Sequence, residues 1–144
     1  RAEKGYIIVG QETDGSVTPV DLDMNWIVSK NKYDFIGKRA LVRSDTVKED
    51  RKQLVGILTV DPSIVLEEGS QLVEVETSLP MPMVGHITSS YYSPNLGRSI
   101  ALALVKSGTK KKGAKLIVPT VNSSVEVEIT NPVFIDPENE RLMA

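Results

Sequence analysis

The chain has no cysteine and one histidine in 144 residues. This excludes disulfide staples, thiolate zinc sites, Cys/His nucleophile pairs and histidine-rich metal centres, and no metal site is expected. Aromatic residues are only 5% of the chain, and 17 Lys and Arg against 19 Asp and Glu leave a formal net charge of -2. Nothing therefore draws the chain generally to nucleic acid or to an anionic membrane, and neither partner is expected. No apolar run reaches the ~20 residues of a membrane-spanning helix. No signal-peptide pattern opens the sequence, so a reducing, cytoplasmic setting is expected. Neither a G-x-x-x-x-G-K-[ST] nor a G-x-G-x-x-G phosphate loop is present.

What is present is enough apolar content, 40% of the chain, to bury one core with a smaller appendage. The sequence opens with Arg1 inside what reads as an ordered segment, so a piece of a longer polypeptide is expected. Ala2-Glu3-Lys4 favours a helical turn and Tyr6-Ile7-Ile8-Val9 is β-prone. Glu12 to Ser16 reads as a polar turn, Trp26-Ile27-Val28 as a short strand, and Asp34 as the cap of a short helix over Phe35 to Leu41. Ser44 to Lys52 holds three acidic and three basic residues with little apolar content, and marks a boundary.

Beyond it the texture is all-β. Leu54 to Val60, Gln71 to Val75, Val84 to Thr88, Ile100 to Val105, Leu116 to Val118 and Val125 to Ile129 are strand-length and separated by Pro, Gly, Asn or Ser. That spacing predicts a small antiparallel barrel or sandwich. Val125, Val127 and Ile129 alternate with Glu126 and Glu128, giving one buried and one wet face. Ile100 to Val105 is apolar on both faces and is expected to be the central strand.

The turn Ser89 to Arg98 carries more polar chemistry than packing requires, with Tyr91, Tyr92, three serines, Asn95 and Arg98. It could serve a ligand, or equally be a turn packed by its own side chains. His86, among apolar neighbours, reads as a hydrogen-bonded structural histidine. Lys110-Lys111-Lys112, between Gly108 and Gly113, reads as a solvated hairpin tip. Arg1 and Glu3 share a face only in a strand, and an ordinary surface pair explains them as well.

Arg1-Ala2-Glu3-Lys4-Gly5-Tyr6, Gly10-Gln11-Glu12-Thr13-Asp14, Thr18-Pro19, Trp26 and Asp34-Phe35-Ile36-Gly37-Lys38-Arg39-Ala40-Leu41 together resemble the end of the folate-binding domain of aminomethyltransferases, the glycine cleavage T-proteins. Gly85 to Ser90, with Ser93 to Ala103, resembles a strand, turn and strand of that family's C-terminal barrel. Arg1 to Gly10, Arg51 to Gly56, Gly97 to Val105 and Pro132-Val133-Phe134 leading to Asp136-Pro137-Glu138 are similar to the C-terminal part of the alpha subunits of heterotetrameric sarcosine oxidases. Dimethylglycine dehydrogenases carry a related module. The chain departs from T-proteins at Val9, where they often have an aromatic, and at Val20 to Met24, which stands where Glu-Ala-Gly-Leu is common.

The resemblance implies a mainly β fold: a six-stranded antiparallel Greek-key or jelly-roll-like barrel over residues 48–144. Before it, a short α+β segment over residues 1–47 would end the folate-binding domain. It implies a tetrahydrofolate site in the full-length parent, where a one-carbon unit from sarcosine oxidation becomes 5,10-methylenetetrahydrofolate. Flavin and NAD would be bound elsewhere in that parent, an oxidoreductase. Partners would be upstream domains of the same polypeptide and the other sarcosine oxidase subunits. No catalytic residue is expected in this chain, because the family's catalytic aspartate lies upstream of Arg1. The folate-facing candidates are Arg1, Glu3, Tyr92 and Ser93: a carboxylate can accept the paired donors of a pterin edge, and a guanidinium suits the anionic tail. The alternative is a subunit-docking barrel without ligand contact, or a T-protein or dimethylglycine dehydrogenase parent.

Overall fold

The computed structural model describes residues 1–121 and 123–144. Among them, six strands form one antiparallel sheet: β1 (Lys52–Thr59), β2 (Gln71–Leu72), β3 (Gly85–Ser93), β4 (Arg98–Lys106), β5 (Lys115–Pro119) and β6 (Ser124–Thr130). The order is β2-β3-β4-β1-β6-β5. Beyond β2, Val73 and Ile117 of β5 exchange both backbone hydrogen bonds at 2.9 Å, so the two ends of that order meet and the sheet closes as a barrel. Among the described residues, closure leaves no long unpaired edge. Each of the six strands expected from the sequence is present, with β2 shorter and β3 longer than expected.

Alternation along the strands builds two apolar layers. Val55, Ile57, Leu72, Ile87, Ala101, Ala103, Val105, Leu116, Val118, Val127 and Ile129 fill the interior. On the outer face, Leu54, Leu102 and Leu104 pack under Leu22, with Ile7, Val17, Met24 and Phe134 around them. β4 is therefore buried from Ser99 to Val105, as its two apolar faces predict, because the N-terminal segment covers its outer side. The segment is tied down by Leu54 N–H donating to Asp21 O at 2.7 Å and by Arg51, whose Nε and Nη2 donate to the Asp21 carboxylate at 2.9 and 2.6 Å.

The C-terminal segment crosses β1 at Gly56, where a Cβ would stand 2.1 Å from Asn131 O, so no larger residue fits without moving the chain. Phe134 and Ile135 then donate their backbone N–H groups to Glu3 O. Lys4 Nζ donates to Asp136 O at 2.5 Å and to Asn139 Oδ1 at 2.8 Å, just ahead of a last helical turn, α1 (Glu140–Met143).

Three local expectations are corrected. Trp26-Ile27-Val28 is not a strand: Asn25–Ile27 is a 3₁₀ turn, since no neighbouring strand pairs with it and Trp26 is 78% exposed. The Asp34 helix is a shorter 3₁₀ turn, Lys38–Val42, that starts only after Gly37 at φ 92°. Asp34 Oδ1 accepts the adjacent Phe35 N–H rather than capping a helix. Finally, Ser89 to Ser93 belongs to β3 rather than to a turn, because these residues pair with β4 as far as Ser93 opposite Arg98. The turn is confined to residues 94–97, with Gly97 at φ 63°.

Candidate functional site

A β-bulge places the site. Ile87 pairs with Ala103 and faces the interior, and the next paired residue is Ser89 opposite Leu102, leaving Thr88 as the extra residue. Unbroken alternation from Ile87 would turn Ser89 inward. The extra residue instead sends Ser89, Tyr91 and Ser93 outward, toward the segment that begins at Arg1.

The Ala2–Lys4 turn lies against this outward row. Arg1 Nη2 donates to Ser89 Oγ at 2.7 Å and to Tyr91 Oη at 3.2 Å, and Arg1 Nη1 donates to Tyr6 O at 2.8 Å. The guanidinium also lies 5.6 Å from the Tyr91 ring centre, within cation–π range. Ser93 Oγ donates to Glu3 Oε1 at 2.5 Å, and Asn95 Nδ2 donates to Oε1 and Oε2 at 3.0 and 3.1 Å. Those donors, Ser93 first and Asn95 second, hold the Glu3 carboxyl below its ordinary pKa, so it stays ionised at neutral pH.

Arg1, Glu3, Tyr92 and Ser93 thus line one open cleft of about 210 Å³, together with Ala2, Tyr91 and Ile100. The four residues singled out in the sequence come together, although 88 or more residues separate the two pairs. Three further residues belong to the constellation. Asn95 holds Glu3. Ser89 and the buried Glu12 hold Arg1: Ser89 Oγ donates to Glu12 Oε1 at 2.5 Å, and Glu12 Oε2 lies 3.7 Å from Arg1 Nη1. The polar run around Glu12 reads as an exposed turn, so composition gives no signal of its burial.

A carboxylate has about four lone-pair positions, and the Glu3 oxygens accept three internal hydrogen bonds. Capacity remains for an incoming N–H donor. Tyr91, on the same outward face, and its neighbour Tyr92 both line the cleft and are about half-exposed. The cleft is smaller than the roughly 300 to 1,000 Å³ of a complete ligand pocket, so it can receive part of a ligand.

His86 stands apart. Its Nδ1 is 3.3 Å from Lys52 Nζ, and burial first, then the Lys52 charge, push its pKa down against the pull of Asp14. Lys110 and Lys111 lie in a 3₁₀ turn, paired with Glu49 and Glu74. Among the described residues no group of His, Asp and Glu could hold a metal ion, and no helix is long and apolar enough to cross a membrane.

The fold and the sequence have counterparts among known proteins. The chain is 51% identical over 144 residues to the sarcosine oxidase alpha subunit of Corynebacterium sp. strain P-1, covering 98% of this chain and 15% of that protein. It is 39% identical to the alpha subunit of Rhizobium meliloti, again over 15% of that protein's length. It is 34% identical to an aminomethyltransferase of Thermotoga neapolitana, covering 93% of this chain and 34% of that protein. The crystal structure of the glycine cleavage system aminomethyltransferase T of Bartonella henselae superposes with a TM-score of 0.78 over 94% of this chain and 37% of that one, at 22% identity, and shows the same fold. The chain thus spans a small part of the relatives it matches. The profile of the glycine cleavage T-protein C-terminal barrel domain matches residues 52–136, from the start of β1 to beyond β6, and the chain belongs to that family.

Proposed function

We propose that this chain forms one wall of a tetrahydrofolate-binding cleft in a longer polypeptide of the sarcosine oxidase alpha type. The chain is non-catalytic. The observation that carries the reading is the cleft itself: Glu3, ionised and with one acceptor position to spare, shares a wall with the Arg1 guanidinium, and Tyr91 and Tyr92, both partly exposed, line the same cleft. A pterin-type ligand would present an N–H group to the remaining acceptor position of Glu3 Oε2, its ring to the tyrosine side and its anionic part to the Arg1 side, with Ser93 holding Glu3 in place. Bound tetrahydrofolate would accept the one-carbon unit released by sarcosine oxidation, yielding 5,10-methylenetetrahydrofolate. Residues outside this chain would enclose the rest of it and carry the chemistry. Flavin and NAD would occupy other parts of the parent oxidoreductase, whose other subunits and domains are this chain's partners. Residues 1–47 would end the folate-binding domain and residues 48–144 form the barrel domain.

In the full-length polypeptide, Glu3→Gln is expected to weaken tetrahydrofolate binding by roughly ten- to hundredfold, the loss of a charge-assisted hydrogen bond. Tyr92→Ala should act in the same direction but less strongly. Titration calorimetry checks both. Unchanged affinity in both variants, with reduced assembly of the other subunits, would replace this reading with a docking role. That second reading has its own observation: Trp26, Tyr33 and Ile36 stand exposed on one segment.

A further inference from the structure

Glu12 is the most deeply buried acid of the chain, with 0% exposure, yet it is not among the residues that line the cleft. Its surroundings explain why a charge is kept there. Glu12 Oε2 accepts the Ile8 N–H at 2.7 Å, and Oε1 accepts the Ser89 hydroxyl at 2.5 Å. Because Ser89 has one proton and gives it to Glu12, its oxygen is left to accept, and what it accepts is Arg1 Nη2 at 2.7 Å. The next residue, Gln11, donates Nε2 to Thr88 O on the β3 bulge and to Glu68 Oε2. Gln11 and Glu12 together fix the Ile8 to Glu12 turn against the bulge. The result is a chain of proton donors running from Arg1 through Ser89 to Glu12.

We infer that Glu12 is a positioning residue of the cleft: it sets the direction of the Ser89 hydroxyl and, with its charge 3.7 Å from Arg1 Nη1, holds the Arg1 guanidinium where a ligand would meet it. This rests on the proposed folate reading of the cleft. It predicts that an isosteric change is not silent. In Glu12→Gln the negative charge is gone, and an amide nitrogen facing Ser89 would give the hydroxyl a donor rather than an acceptor. The Ser89 proton would then turn toward Arg1, which has only donors.

The test measures tetrahydrofolate affinity and thermal midpoint in the full-length polypeptide for Glu12→Gln, Arg1→Ala, their double variant and Glu3→Gln. Glu12→Gln should weaken binding about tenfold, in a protein that still folds but with a lowered thermal midpoint. In the Arg1→Ala background the same change should do nothing further, since there is no guanidinium left to position. A full additive loss in the double variant would show a general packing role and overturn the inference. So would loss of affinity in Glu3→Gln and Arg1→Ala with none in Glu12→Gln, which would leave the folate reading standing. Unchanged affinity in both Glu3→Gln and Arg1→Ala would remove the folate reading and this inference with it. Should Glu12→Gln fail to fold, Ser89→Ala breaks the same relay without altering the buried carboxylate, and the same outcomes apply.

Discussion

At the scale of single residues, the buried acids are organised by their donors. Asp21 is almost fully buried, which opposes ionisation, but the Arg51 fork and the Thr18 N–H and hydroxyl overcome that cost and hold its pKa below the ordinary value. A carboxylate whose folded pKa is depressed contributes its full stability above the unfolded value of about 3.9. The contribution is lost as pH falls through the lower folded value. Replacing Asp21 with Asn is therefore expected to lower stability at pH 7 by roughly 1.5 to 3 kcal/mol and to flatten the pH dependence below about 4. Urea unfolding at several pH values checks this. An unchanged acid slope in the variant would assign the acid sensitivity to other carboxylates.

At the scale of elements, β4 and the bulge in β3 divide the work. Leu102 stands on the outer face of β4 with no exposure, in the second apolar layer. Truncation to Ala should cost roughly 2 to 5 kcal/mol through the cavity it leaves. Amide exchange should be slowest along β4, paired on both sides by β1 and β3, and faster in β6, whose Glu126 and Glu128 face solvent. Equal protection in the two strands, or a loss below about 0.5 kcal/mol for Leu102→Ala, would show that β4 is not the strand the core is built around. The bulge at Thr88 carries no comparable apolar signal. Its effect is to choose which side chains of Ser89 to Ser93 meet Arg1, Glu3 and Glu12.

At the scale of the whole molecule, the barrel and the N-terminal segment differ in how completely they are covered. The barrel interior is filled, whereas Trp26 is 78% exposed and Ile36 and Tyr33 are essentially bare. In the 144-residue chain, Trp26→Ser and Ile36→Ser should each change stability by no more than about 0.5 kcal/mol, because neither side chain is packed. In the full-length polypeptide the same changes should lower the thermal midpoint if further domains cover that face. Equal, negligible effects in both settings would show that the face stays in solvent.

The sequence by itself determined the six strands, the two apolar faces of the central one and the resemblance that brought Arg1, Glu3, Tyr92 and Ser93 forward. Each is written in local pattern: alternation in Val125 to Ile129, unbroken apolarity in Ile100 to Val105, and motif residues in order. Tertiary structure alone decided the rest. Trp26-Ile27-Val28 has β-prone composition, but no strand lies beside it to pair with, so it turns. Thr88 looks like any other strand residue, and its unpaired position is set by the register with β4 across the hairpin. Glu12 sits in a polar run that reads as exposed. It is buried because Ser89 and Arg1, distant in sequence or separated by a turn, close over it, and burial of a charge is stable only where such donors converge.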